Sequence, residues 1–387
     1  MGLIPLTGGF YVAQNLDINA QRCVNLYPEV TPPENQPAVQ VALLATPGLL
    51  SRAVPPAAGV NRCLYRATNG DVFTVIGQNV YFLSDSFAFT LLGSISGPLN
   101  PCYMEDNGTD VLLVDGTANG YTINLATHAF AAIVDPDFYG GDRVDVIDGY
   151  FILNKPGTII AYISGQFATT FDALDFFSKA GYSDPLISLI ALRRELWLMG
   201  SLTSQVFVNA GALDSIFETL PGSFQEHGII APYSLAKADV NVYWMSQDKT
   251  GARVVFRAGA GGGYAGQRIS THAIENVLRQ YTVVTDAIGF TYQQNGHLFY
   301  VLTFPTANAT WVFDEATQQW HQRAWMDKDG ELNRWRPNCI TFGYGMTLAG
   351  DWETGVVYEV SLSQFDDNGD PIPRIRGLPH LVKNGPL

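Results

Sequence analysis

Gly261-x-Gly263-x-x-Gly266, with Asp286 twenty positions on, has the spacing of a dinucleotide-binding turn. In such a turn, glycines let the backbone approach a pyrophosphate and the carboxylate takes the ribose hydroxyls. That chemistry needs the turn to open into the helix of a βαβ unit. Here Gln267-Arg268-Ile269 follows as a strand-like piece, and parallel β/α alternation is found nowhere; the segment reads as a flexible hairpin tip. Two acidic loops place oxygen donors at alternate positions: Asp366, Asn368 and Asp370, and Asp327, Asp329 and Glu331. Neither has the distal glutamate of a twelve-residue calcium loop, so solvated turns are expected rather than a metal site. The six histidines never fall in HxH, HxxH or HExxH spacing, and there is no GxSxG elbow. Ser-x-Asp-x-Gly-x-x-Trp boxes and recurring Trp-Asp blade ends are missing as well. Carboxylate pairs for glycoside hydrolysis would be distant in sequence, so seven tryptophans lining a sugar site stay open as an alternative to packing between sheets. No cofactor is expected.

Composition narrows the classes further. Lys and Arg number 22 against 36 Asp and Glu, giving a net charge of −14, which disfavours a broad phosphate-gripping face. Charged residues make up only 15% of the chain, and few of the basic ones are lysine. Lysine is depleted from buried interfaces while arginine and aromatics are favoured there, so a partner-covered surface is implied. Cys23, Cys63, Cys102 and Cys339 lie far apart without a CxxC pair and read as reduced, buried thiols. The N-terminus carries no signal-peptide pattern, and no apolar run is long enough for a transmembrane helix.

The elements that would have to position any site are strands. One phrase (strand, tight turn, strand, turn, strand) recurs seven times. Its second strands begin at Asp71, Asp110, Tyr150, Glu195, Asn241, His297 and Met346, with steps of 39, 40, 45, 46, 56 and 49 residues. That is the period of a β-propeller blade. Asn69-Gly70, Asp148-Gly149 and Asn295-Gly296 are type I′ hairpin dipeptides. Weaker outer strands are expected at Phe89–Ile95, Ala129–Val134 and Trp320–Ala324. The fold class is therefore all-β: a propeller of six to seven blades with an extended N-terminal arm, in preference to two stacked sandwiches. Closure of the seventh copy would use a strand lent by the arm, with Gly9–Ala13 as the candidate. Ser270–Tyr281 reads as a helix capped by Thr271 or Ser270, and Phe171–Gly181 as a shorter helical turn. The division expected is an arm over residues 1–58, a propeller over 59–360 and a C-terminal extension over 361–387.

The arm is rich in proline and contains Val24-Asn25-Leu26-Tyr27-Pro28-Glu29 and, later, Thr46-Pro47-Gly48-Leu49. Further on come Gly200-Ser201, Gln205-Val206-Phe207 and Gly228-Ile229. Arg268-Ile269-Ser270-Thr271 then leads to Ile274-Glu275, Leu278 and Tyr281, and Trp311-Val312-Phe313-Asp314 precedes Trp320. In this order the motifs resemble the tail-hub or nozzle proteins of short-tailed bacteriophages, also called packaged-DNA stabilisation proteins. Some members run on into a further C-terminal β domain where this chain stops at Leu387, so it is a shorter member or a truncated one.

The resemblance implies a non-enzymatic structural protein of the virion tail, assembled in the host cytoplasm. Six copies would ring the DNA path below the portal and its adaptor, hold a tail needle or plug, and carry fibres or tailspikes. Double-stranded DNA would slide through without sequence-specific binding. The arm would either reach a neighbouring subunit or strap its own propeller. The candidate gate or interaction loops are Gly259–Gly266 (Gly259, Gly261, Gly263, Gly266) and Asp366–Pro373 (Asp366, Asn368, Asp370). A carbohydrate-binding or glycan-active propeller is the alternative.

Overall fold

The computed structural model describes residues 7–16, 19–30, 41–179, 181–212 and 216–378. Residues 31–40 of the arm and the end of the C-terminal extension lie outside the described residues. Among the described residues, seven sheets form a ring, each built on four antiparallel strands; five stop there, and the last two are widened by segments of the arm and the C-terminal extension. The innermost strand of each touches that of the next, and Pro337–Gly343 of the seventh meets Asn61–Arg66 of the first. The β-propeller expectation therefore holds, and the sandwich alternative does not.

The strands follow from their side-chain alternation. A sheet presents successive residues to opposite faces, and in a ring each face meets a neighbouring blade. The core accordingly divides by seam. Val111 and Leu113 face the first blade while Leu112 and Val114 face the third. Ile190, Trp197 and Trp244 fill the seam between blades four and five, Trp311 and Trp320 that between five and six, and Trp335 that between six and seven. These tryptophans pack between blades rather than lining an open site. The second strands begin where the repeat places them, at Asp110, Tyr150, Glu195, Asn241, His297 and Met346, with Val72 in place of Asp71. Asp148-Gly149 and Asn295-Gly296 take paired positive φ values, whereas at Asn69-Gly70 only the glycine does.

The helix spans His272–Gln280, and the Thr271 side chain caps it by accepting from Ile274 N at 3.3 Å. The expected helical turn after Phe171 is instead a strand, Phe171–Ser178, the outermost of blade three. Its pairing jumps from Tyr162↔Phe176 to Ser164↔Phe171, so three extra residues are looped out around Asp172–Asp175. The polar-apolar spacing of that bulge imitates a helix turn.

Ring closure also departs from expectation. Gly9–Ala13 is not the closing strand: Tyr11–Val12 pairs with Ala20–Gln21, and Phe10 N donates to the Trp320 carbonyl at the edge of blade six. The fourth strand of blade seven is Gly48–Ala53, antiparallel to Val357–Ser361 with Leu49 opposite Val360. Leu49 is fully buried there. A Cβ on Gly48 would lie 2.3 Å from the Asp366 carbonyl oxygen, so only glycine lets the two backbones approach. Gly48→Ala is expected to push the Asp366–Pro371 hairpin off the closing strand. Hydrogen exchange should then accelerate in residues 366–371 and 48–53 while the blade-three amides keep their protection.

Candidate functional site

The most elaborate constellation is the seam where the arm meets blades six and seven. Cys23–Val24 adds a parallel strand to Gln319–Met326 of blade six, and Ile375–Arg376 from the C-terminal extension adds antiparallel on its far side. Next comes Asn25, buried and in the left-handed region at φ 52°, which asparagine tolerates better than most residues. Its Nδ2 donates to the carbonyls of Ala324 and Pro373, both at 2.8 Å, and its Oδ1 accepts from Ala324 N at 3.0 Å. Its own carbonyl accepts from Thr46 N and Thr46 Oγ1, each at 3.2 Å. One residue thus ties together the arm, blade six, the C-terminal extension and the entry to the closing strand.

The turn at Asn25 leads into Leu26–Val30, which pairs with Val41–Ala45 as a two-stranded ribbon. Pro28 lies in this ribbon, opposite Leu43; a ribbon has free edges on both sides, where a missing N–H is tolerated. Tyr27 is buried against His297 and Phe299, with ring centroids 5.0 and 5.2 Å away. Pro47 is held from beneath: the buried Arg323 donates from Nη2 to its carbonyl at 3.1 Å and lies 3.8 Å over the Trp335 ring. The described residues of both arm motifs dock onto their own propeller.

The candidate loops prove to be different from one another. Gly259–Gly266 joins the third and fourth strands of blade five as a short, largely exposed 3₁₀ turn. Gly263 and Tyr264 take positive φ, and Tyr264 OH donates to Glu195 at 2.6 Å. Gly261 has open space where a Cβ would go, Gly259 lies against the Val240 carbonyl and Gly266 beside Gln225 and His227. The strand Gln267–Arg268 follows, not a helix, so the dinucleotide reading fails. Asp366–Pro373 is not a long irregular loop. Asp366–Asp367 pairs with Asp370–Pro371 across a tight Asn368-Gly369 turn, and Asn368 N donates to the Leu49 carbonyl at 2.8 Å. Asp366 caps its own turn, accepting from Gly369 N, and Asp370 accepts from Trp325 Nε1 at 2.8 Å. Asp367 is buried, and that burial pushes its carboxyl up to about 6 against the pull of Arg323. In the other acidic loop, Asp327 accepts from the backbone of Asp329 and Glu331. Among the described residues no group of three or more His, Cys, Asp or Glu side chains is arranged to hold a metal.

A second polar cluster was not visible from local motifs. Innermost strands of four blades bring Tyr65, Glu105, Asp145 and Lys237 together on the propeller axis. Lys237 Nζ lies 3.1 Å from Asp145 and 3.8 Å from Glu105. Tyr65 OH donates to Asp106 at 2.6 Å and lies 3.4 Å from Glu105. Solvent still reaches 36% of the Lys237 side chain and 28% of Glu105, so the axis is a narrow wet bore with an ion pair across it. Close packing all round, then the neighbouring Asp145 carboxylate, push Glu105 up to about 7; Lys237 and Arg143 oppose the shift. Burial acts against the Lys237 ammonium, but Asp145 and Glu105 outweigh it and hold the lysine above its ordinary value.

Fold and seam together define a class: a propeller shut by its own N-terminal strand and braced by its own termini. The chain belongs to the phage-stabilisation family, whose model, described as bacteriophage P22 Gp10, β-propeller, matches residues 3–364. This is the family, the tail-hub or packaged-DNA stabilisation proteins of short-tailed phages, that the arm and helix motifs resemble. The protein is thus a structural protein of a bacteriophage. No curated protein matches the sequence. Among solved structures, the extracellular domain of the BT4673 one-component system from B. thetaiotaomicron is similar in fold. It has a TM-score of 0.54 at 11% identity, over 81% of this chain and 40% of that one, so this chain spans well under half of that structure. The WD40 propeller domain of Doa1 has a TM-score of 0.48 at 9% identity, over 82% of this chain and 97% of that one.

Two outcomes are expected. Asn25→Ala removes three buried side-chain hydrogen bonds and puts alanine at positive φ; a loss of roughly 3–5 kcal/mol in urea unfolding follows. Asn25→Gly keeps the backbone conformation and should lose less. Because the Glu105 carboxyl is raised when folded, it favours folding below its ordinary value of 4.5 and that contribution is lost as pH rises through about 7. Glu105→Gln should therefore flatten the decline in melting temperature across that interval.

Proposed function

We infer that this protein forms the tail nozzle or hub below the portal and adaptor, as a ring of six copies. The ring continues the DNA path, retains packaged DNA and anchors fibres or spikes. Family membership over nearly the whole chain carries the reading. The geometry adds a constraint on it. A bore bridged by one lysine side chain does not pass a DNA duplex, so the path must run between subunits, along the axis of the assembly. The net charge of −14 favours a wall that repels phosphates and lets DNA slide. Blades whose faces are all packed give that wall rigidity.

Of the two candidate loops, Gly259–Gly266 is the one free to face the DNA path or a partner. Asp366–Pro373 is committed to bracing the closing strand. Light scattering and electron-microscope class averages of the purified protein, alone and with portal and adaptor, test the assembly. A sixfold ring is expected; a strict monomer under both conditions overturns it. Virions lacking residues 259–266 should assemble and leak DNA, whereas full retention removes that loop from the gate.

A further inference from the structure

His297 begins the second strand of blade six at the floor of a cleft of about 600 Å³ between the inner turns of blades five and six. It is 5% exposed, and both ring nitrogens meet carboxylates. Nδ1 lies 2.8 Å from Asp314 Oδ2 and Nε2 lies 2.7 Å from Glu29 Oε2. Asp314 belongs to the propeller and is fully buried, and it already accepts from Ala316 N at 3.0 Å and Thr317 Oγ1 at 2.7 Å. Glu29 belongs to the arm and is nearly half exposed. An ionised carboxylate only accepts hydrogen bonds, and a neutral imidazole has a single N–H. Two carboxylate partners are satisfied together only by the imidazolium.

The remaining groups around His297 do not supply that charge. Tyr27, on the arm ribbon, has its hydroxyl pushed up to about 12, chiefly by burial. From the fourth strand come His321 and Arg323. Burial, then Arg323 and His297, hold His321 down at about 3, so it is neutral. Tyr292 of the innermost strand is raised by burial and stays a phenol. Glu315, also lining the cleft, is paired with Arg257 and accepts from Tyr243 OH at 3.0 Å. Burial works against a charge on His297, but the bonds to Glu29 and Asp314 outweigh it and hold the imidazole above its ordinary value.

We propose that the ribbon of Leu26–Val30 and Val41–Ala45 is fastened by a proton-dependent latch: it stays docked while His297 carries two N–H groups and loosens when one is lost. The sign follows from linkage. A histidine raised by its partners contributes docking fully below its free value of 6.5 and loses it as pH climbs through the raised one. Each unit of elevation corresponds to a tenfold fall in the docking constant. Deprotonation leaves Asp314 bonded and frees the exposed partner, Glu29, so the arm yields and the blade does not.

The test uses the full chain labelled with ¹⁵N-histidine, with His297→Gln to assign the signal. At neutral pH both His297 nitrogens should be protonated, and the resonance should titrate above the other solvent-reachable histidines. Exchange of the Leu26–Val30 and Val41–Ala45 amides, corrected for intrinsic rates, should rise at least tenfold across that titration. In Glu29→Gln, whose amide can donate to a neutral imidazole, the rise should vanish while the melting temperature changes little. A single protonated nitrogen at neutral pH, or ribbon protection indifferent to the His297 titration, overturns the proposal. Ring assembly is read separately by light scattering, so failure of the latch and failure of the nozzle reading remain distinguishable.

Discussion

A ring of sheets is stable only if its last sheet is completed, and here the completing strand comes from the opposite end of the chain. Gly48–Ala53 must lie beside Val357–Ser361, and what aims it there is the buried amide of Asn25. That side chain fixes the distance between blade six, the C-terminal extension and the segment entering blade seven. The adjoining Arg323 binds the Pro47 carbonyl and completes the seat. The hydrophobic seams supply most of the burial, but they are replicated around the ring. The polar geometry at Asn25 occurs once and decides which strand closes it.

The same economy explains why so much of the architecture could be read from local signals and so little of its closure. Turn dipeptides and alternating apolar residues repeat within each blade, so the start of the second strand at Tyr150 or His297 is set by neighbours a few residues away. The helix carries its own cap at Thr271 and its own ion pair from Arg268 to Glu275. Closure depends on pairing across most of the chain, and Gly9–Ala13 and Gly48–Ala53 are equally plausible short strands when only composition is compared. The Phe171–Ser178 bulge imitates a helix in sequence because three extra residues shift the period from two toward that of a helix. The axial group of Tyr65, Glu105, Asp145 and Lys237 is scattered over more than 170 residues and has no sequence signature; only the ring brings it together. His297 stands at a strand start and Glu29 in a family motif, and nothing in their spacing connects them.

Two kinds of charge management coexist in this acidic chain. On the propeller axis, burial and then the neighbouring Asp145 carboxylate push Glu105 up to about 7, with a lysine as counter-charge. At the arm, a histidine between two carboxylates does the same work for a segment held at the surface. Both place the responsive group where an element from one part of the chain meets another. Exposed turns carry their polar needs on short side-chain caps such as Asp327 and Asp366.

The origin of the closing strand also sets a timetable. About three hundred residues separate Gly48–Ala53 from its partner strand. At elongation rates of roughly 5–20 residues per second, the segment leaves the ribosome about 15–60 s before that partner exists. For that interval Leu49 and the unpaired strand have no native place to go. Each intermediate length of nascent chain is an open crescent of blades with two bare edges. The prolines and the asparagine turn that flank the segment keep it from continuing as a longer strand, and so limit how well it can pair with another nascent crescent. Folding of this ring is therefore a race between translation of the last blade and association of unfinished copies, and its yield should depend on how fast ribosomes cover the final stretch.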